Sequence, residues 1–108
     1  MLTVPQSFRT KAVIILAVLS RYIMAIILLE SVHLEAHAML ERYGSVVLLE
    51  DPTDFETVSQ TPHVEAVITR GRGQIRRDWM AALPELRVVA RCGVGLDNID
   101  TVAAAELA

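Results

Sequence analysis

The sequence predicts an α/β domain in which a parallel sheet is covered by helices on both faces. Three observations carry this expectation. Largely apolar runs recur at residues 25–29, 46–49, 66–69 and 88–91, without the polar alternation of a sheet that faces water on one side. Between these runs lie stretches with apolar residues at helical spacing,. The connections are short, so strand and helix alternate in the manner of βαβ units.

Each element follows from local chemistry. Ala25-Ile26-Ile27-Leu28-Leu29 forms the first strand. Ser31 is placed to cap the next helix, in which Val32, Ala36, Met39, Leu40 and Tyr43 recur at helical spacing,. Gly44 ends that helix at the C′ position. Residues 46–49 make the second strand and Asp51-Pro52 turns the chain. Thr53 with Glu56 supplies a capping box for a helix through about Gln60,. Residues 66–69 are the third strand. Ile75, Trp79, Ala82 and Leu83 then mark one face of a helix that Pro84 ends,. Residues 88–91 form the fourth strand, and Asp100 caps a last helix from Thr101 to Leu107,.

At 108 residues the chain is one domain, with 53% hydrophobic residues and a mean hydropathy of +0.41. Either both sheet faces are covered or part of the chain meets lipid. A net charge of −3 excludes a general nucleic-acid binder. The one cysteine, Cys92, excludes an internal disulfide and suits a reducing cytosol,. No arrangement of His and carboxylate surrounds it, so it reads as a small apolar side chain at a strand end.

Residues 1–24 stand apart. Arg9 and Lys11 precede the apolar run Ala12-Val13-Ile14-Ile15-Leu16-Ala17-Val18-Leu19, the order of a signal peptide, but a small-x-small cleavage site is poor,. A span over residues 12–29 would bury Arg21 at a cost of ~2.5–3.5 kcal/mol, which such a segment can absorb. Geometry argues against it. If residues 25–29 are a strand, too little remains for the ~20 residues of a spanning helix. The expected division is an apolar extension over 1–24, from an upstream start or an anchor, and a domain over 25–108.

The informative stretch is Arg91-Cys92-Gly93-Val94-Gly95-Leu96-Asp97-Asn98-Ile99-Asp100. A strand runs into a glycine loop and then a helix start, the place where open α/β sheets bind ligands. The loop is not a dinucleotide fingerprint, because Asn98 stands where a third glycine is needed and no helix begins until after Asp100,. Gly71-x-Gly73 fails similarly, with Arg76 at that position.

This stretch, followed by Val102-Ala103-Ala104-Ala105-Glu106, resembles the signature of the D-isomer-specific 2-hydroxyacid dehydrogenases, and most closely the phosphoglycerate dehydrogenase branch. The resemblance extends back through Ala66-Val67-Ile68-Thr69-Arg70-Gly71 to residues 24–31. It implies a flavodoxin-like doubly wound sheet of order 2-1-3-4, with a fifth strand and a Rossmann nucleotide domain beyond residue 108. It also implies NAD as cofactor of the whole enzyme, bound outside these residues, and a small anionic 2-hydroxy or 2-oxo acid as substrate. The family's carboxylate-holding Arg and its Glu-assisted His lie further along as well. On this reading the chain is a cytoplasmic fragment, inactive alone. The competing class is a binding or dimerisation module, or a membrane-anchored remnant.

Parallel neighbours about 4.8 Å apart bring the loop after Thr69 beside Cys92 to Gly95. Arg70 can hold a carboxylate through its planar fork while amides of Gly71, Gly93, Val94 and Gly95 bond the remaining oxygens. The resemblance implies that the same two loops line the substrate side of the cleft. Alternatively, the glycines serve only tight turns and Arg70 is solvated. Many relatives carry Ser and Thr where this chain has Gly71 and Gly73, which leaves the substrate's identity open. Arg72, Arg76 and Arg77 add charge nearby but suit a solvated helix end.

Other candidates are weaker. His33 and His37 share the i, i+4 spacing of a metal pair, but Glu35 sits one place late for the zincin motif, and an exposed polar face is the plainer meaning,. His63 has no visible partner. No metal site is expected. A receiver domain needs an Asp after the third strand, where Thr69-Arg70 stands. A flavodoxin needs a Gly-rich phosphate loop after the first, where Ser31-Val32-His33-Leu34 stands. An unpaired fourth strand would favour self-association and poor solubility.

Overall fold

The computed structural model describes residues 24–107. The expected apolar extension, apart from Met24, lies outside the described residues. The elements run β1 (Ala25–Leu28), α1 (Leu34–Glu41), β2 (Ser45–Leu48), α2 (Phe55–Gln60), β3 (Val64–Thr69), α3 (Arg77–Ala82), β4 (Val88–Arg91) and α4 (Thr101–Leu107). Every neighbouring pair of strands is parallel and the order is β2-β1-β3-β4. This is the order expected.

β1 is central because it has no polar side chain to keep wet. Its four residues are all buried, and burying Ile27 completely is worth about 1.5–3 kcal/mol. Successive side chains point to opposite faces. Ala25, Ile27 and Leu29 therefore join Val67, Val58, Ile75, Trp79, Leu83 and Ala103 in one core beneath α2, α3 and α4. The Phe55 and Trp79 rings meet at 5.3 Å and 44° and tie α2 to α3,. Ile26 and Leu28 face the other way, toward α1.

That second face departs from expectation. No residue of α1 is buried, and Met39 and Tyr43 are 58% and 71% exposed. Periodicity marks an apolar stripe, but burial requires neighbours on both flanks of it. Among the described residues, α1 is the sole helix on this face.

Two caps also differ. His33, not Ser31, caps α1, its Nδ1 accepting from the Glu35 amide at 3.2 Å. Asp54 caps α2, accepting from the amide of Thr57 at 3.1 Å and its hydroxyl at 2.6 Å. Thr53 is instead bound by Asp51 in the preceding turn, at 2.8 Å through its amide and 2.7 Å through its hydroxyl. Competing local hydrogen bonds decide such cases. α3 starts at Arg77, and Ile75 forms a bridge with Ile99 ahead of it. The Asp100 cap forms as expected, accepting from the Ala103 amide at 2.9 Å.

Candidate functional site

The carboxyl ends of β1, β3 and β4 converge on one rim. Thr69 pairs with Arg91 in register, and the Cys92 amide extends the ladder by donating to Thr69 O at 2.8 Å. The loops Arg70-Gly71-Arg72-Gly73 and Cys92-Gly93-Val94-Gly95 consequently lie side by side, as expected.

Between them sits a side chain that sequence reasoning did not assign to the site. Arg91 Nη1 donates to Gly95 O at 2.8 Å, and Nη2 reaches Arg70 O at 3.4 Å. Its Nε is buried with no hydrogen-bond partner among the described residues. Gly71 makes room for this guanidinium: a Cβ there would stand 2.8 Å from Arg91 Nη2, and its φ of +123° suits glycine alone,. The available signal was an arginine ending an otherwise apolar strand two residues before Gly93.

A polar network ties the rim together. Glu30 Oε1, just past β1, accepts from the amides of Arg70 at 2.9 Å and Arg72 at 2.7 Å and from the Thr69 hydroxyl at 3.0 Å. Burial pushes the Glu30 carboxyl up. The amides of Arg70 and Arg72, the Thr69 hydroxyl and the Arg72 charge together outweigh that and hold it below the ordinary range,. Thr69 and Asn98 are 0% and 3% exposed. They are joined by Asn98 Nδ2 donating to Thr69 Oγ1 at 3.0 Å.

These bonds divide the expected donors. The Gly71 amide donates to Thr69 Oγ1 at 3.0 Å, so the amides of Arg70, Gly71 and Arg72 are engaged internally. Gly71 contributes shape and Arg70 contributes charge. The amides of Gly93, Val94 and Gly95 meet no acceptor among the described residues. Arg70 is exposed, and its Nη1 donates to Ser31 O at 3.1 Å. It stands at the mouth of an apolar groove of about 820 Å³ between α1 and the sheet, lined also by Val32, Ala36, Leu40, Ile68 and the exposed Cys92.

The histidines lie elsewhere. His63 gains a partner, its Nδ1 standing 2.8 Å from Glu85 Oε2. This pair sits before the start of β3, about 23 Å along the strand from Arg70 at ~3.3 Å per residue. His33 is used as a cap, and His37 meets Glu41 at 3.4 Å on the same helix. Among the described residues, no group of three or more His, Cys, Asp or Glu side chains is placed to hold a metal ion.

A dinucleotide does not fit the Gly93 to Gly95 loop. Asn98 fills the position a third glycine would occupy, and its side chain is buried and bonded,. The first turn of α4 is already capped by Asp100, whose charge repels a pyrophosphate.

Fold and rim define the class: a doubly wound α/β domain with arginines and unpaired amides at the carboxyl ends of its strands, and no nucleotide fingerprint. A family model described as D-isomer specific 2-hydroxyacid dehydrogenase, catalytic domain, matches residues 26–108. The chain belongs to that family. It is 31% identical over 81 residues to a D-3-phosphoglycerate dehydrogenase of Methanocaldococcus jannaschii, covering 75% of this chain and 16% of that protein. It is 43% identical over 75 residues to an (S)-sulfolactate dehydrogenase of Chromohalobacter salexigens, covering 66% and 24%. The NAD+-bound 3-phosphoglycerate dehydrogenase of Entamoeba histolytica superposes with a TM-score of 0.61 at 22% identity, covering 79% of this chain and 30% of that one. The chain thus spans less than a third of each of these proteins. Among the described residues, no helix is long and apolar enough to cross a membrane.

Proposed function

We propose that these residues are the substrate-binding part of an NAD-dependent, phosphoglycerate dehydrogenase-like enzyme, and that the rim receives the carboxylate of a small anionic 2-hydroxy or 2-oxo acid. Arg70 presents guanidinium donors at the groove mouth. Arg91 lies between the two loops, bonded to Gly95 O and close to Arg70 O, and Gly93, Val94 and Gly95 offer backbone amides. Charge-assisted bonds of this kind fix a planar carboxylate in orientation as well as place. Relatives named for phosphoglycerate and sulfolactate act on 2-hydroxy acids with a second anionic group, in keeping with a cationic rim.

The observation that carries this reading is the Arg91 guanidinium, wedged between two glycine loops with a buried Nε that meets no hydrogen-bond partner among the described residues. Hydride transfer and proton movement belong to residues outside this rim, since the His63–Glu85 pair is at the opposite end of β3 and the dinucleotide does not fit. Oxalate, a planar dicarboxylate, tests the site in the 108-residue chain. Its addition should shift the amides of Gly93 to Gly95 in NMR spectra, and Arg70→Gln should weaken binding about tenfold, the value of one or two charged hydrogen bonds. NADH with hydroxypyruvate should show no loss of absorbance. Turnover by this chain, or oxalate binding unaffected by Arg70→Gln, would refute the proposal.

A further inference from the structure

Resting on the carboxylate-binding reading above, we propose that Thr69 is a positioning residue: its hydroxyl is the hub that locks the Arg70 loop into its binding geometry, with Glu30 and Asn98 as its partners.

A threonine hydroxyl has one proton and two lone pairs, and every one of them is used here. The amide of Gly71 and Nδ2 of Asn98 donate to Oγ1, each at 3.0 Å. Oγ1 in turn stands 3.0 Å from both Glu30 Oε1 and Arg72 O, its two acceptors. Each acceptor has a second source of protons. Glu30 takes the amides of Arg70 and Arg72, and Arg72 O is also 3.3 Å from Asn98 Nδ2. One buried oxygen thereby connects the ends of β1 and β3 to the segment that leads from β4 into α4.

The arrangement exceeds what the fold needs. The β3–β4 register stops at Thr69 and Arg91, so the loop beyond it has no ladder to hold it. The hub supplies that hold, and it places Arg70 O, which the Arg91 guanidinium approaches. A site held rigid before the ligand arrives loses less freedom on binding. Thr69 touches no substrate in this scheme and acts through Arg70 and Arg91.

The test uses the 108-residue chain with Thr69→Val, which keeps shape and charge but removes the hydroxyl, and Thr69→Ser, which keeps the hydroxyl. Oxalate affinity, read from the Gly93 to Gly95 amides, should fall about tenfold in Thr69→Val and stay within about twofold of wild type in Thr69→Ser. A second measurement needs only the wild type. On acidification the amides of Arg70 and Arg72, and with them that of Gly71, which reaches Glu30 only through the Thr69 hydroxyl, should move together as Glu30 is protonated, with a midpoint below that of an ordinary glutamate. Arg72 is the charged neighbour acting on Glu30, and its charge also acts on Asp51. Wild-type affinity in Thr69→Val, or amides that do not titrate together, would overturn the proposal. If Thr69→Val does not fold, the amide titration decides alone. If the wild type fails to bind oxalate, the carboxylate-binding reading falls, and the titration still shows whether the hub exists.

Discussion

Glu30 carries more of the rim than its place in the sequence suggests. Its carboxylate accepts three hydrogen bonds from one loop, and its pKa is held below the ordinary value. A carboxyl depressed on folding stabilises the native state fully above the pKa it has in the unfolded chain, and that contribution is lost as pH falls through the folded value. Stability to urea should therefore decline on acidification below about pH 5, near the top of the ordinary carboxyl titration. Glu30→Gln should flatten part of that decline while lowering stability at pH 7. A variant with the same pH profile as wild type would show that the carboxylate is not engaged. Local chemistry made some residues legible, such as Asp100, the first good cap before an Ala-rich run. It failed where two caps competed within three residues, as with Thr53 and Asp54, because the winner depends on which hydroxyl the preceding turn has already used.

Among the elements, β1 and α1 are opposites. β1 reads as a strand from four apolar residues and is buried throughout. α1 reads as amphipathic and yet has no buried residue. Substitutions should separate them. Ile27→Ala, at 0% exposure, should cost about 2–5 kcal/mol in lost transfer energy and cavity formation. Met39→Ala, at 58% exposure, should lie within about 0.5 kcal/mol of wild type. Urea midpoints measure both, and a large loss at Met39 would mean that α1 is packed more tightly than its exposure indicates. The contrast explains why element type was legible and burial was not. Spacing along the chain sets which side chains share a face, whereas burial depends on what is brought against that face.

For the whole molecule, β4 is one of the two edge strands of the sheet among the described residues, with β2 the other. Val88 on β4 is 52% exposed, and Leu96 and Leu107 nearby are 54% and 48% exposed. Unpaired backbone beside apolar side chains invites pairing with another chain. We expect the 108-residue chain to self-associate through this edge, and Val88→Lys to reduce that association in sedimentation velocity. A wild-type chain that stays monomeric at tens of micromolar would count against it. The sequence by itself determined the order and type of the elements and the glycine loops that follow the third and fourth strands, because each rests on residues adjacent in the chain or one turn apart. Only the tertiary structure decided that the Arg91 guanidinium reaches Arg70 O, that Glu30 takes the amides of Arg70 and Arg72, and that His63 meets Glu85. Those contacts join residues 21 to 42 positions apart, and such a pairing exists only once strand order and register have brought its two halves together.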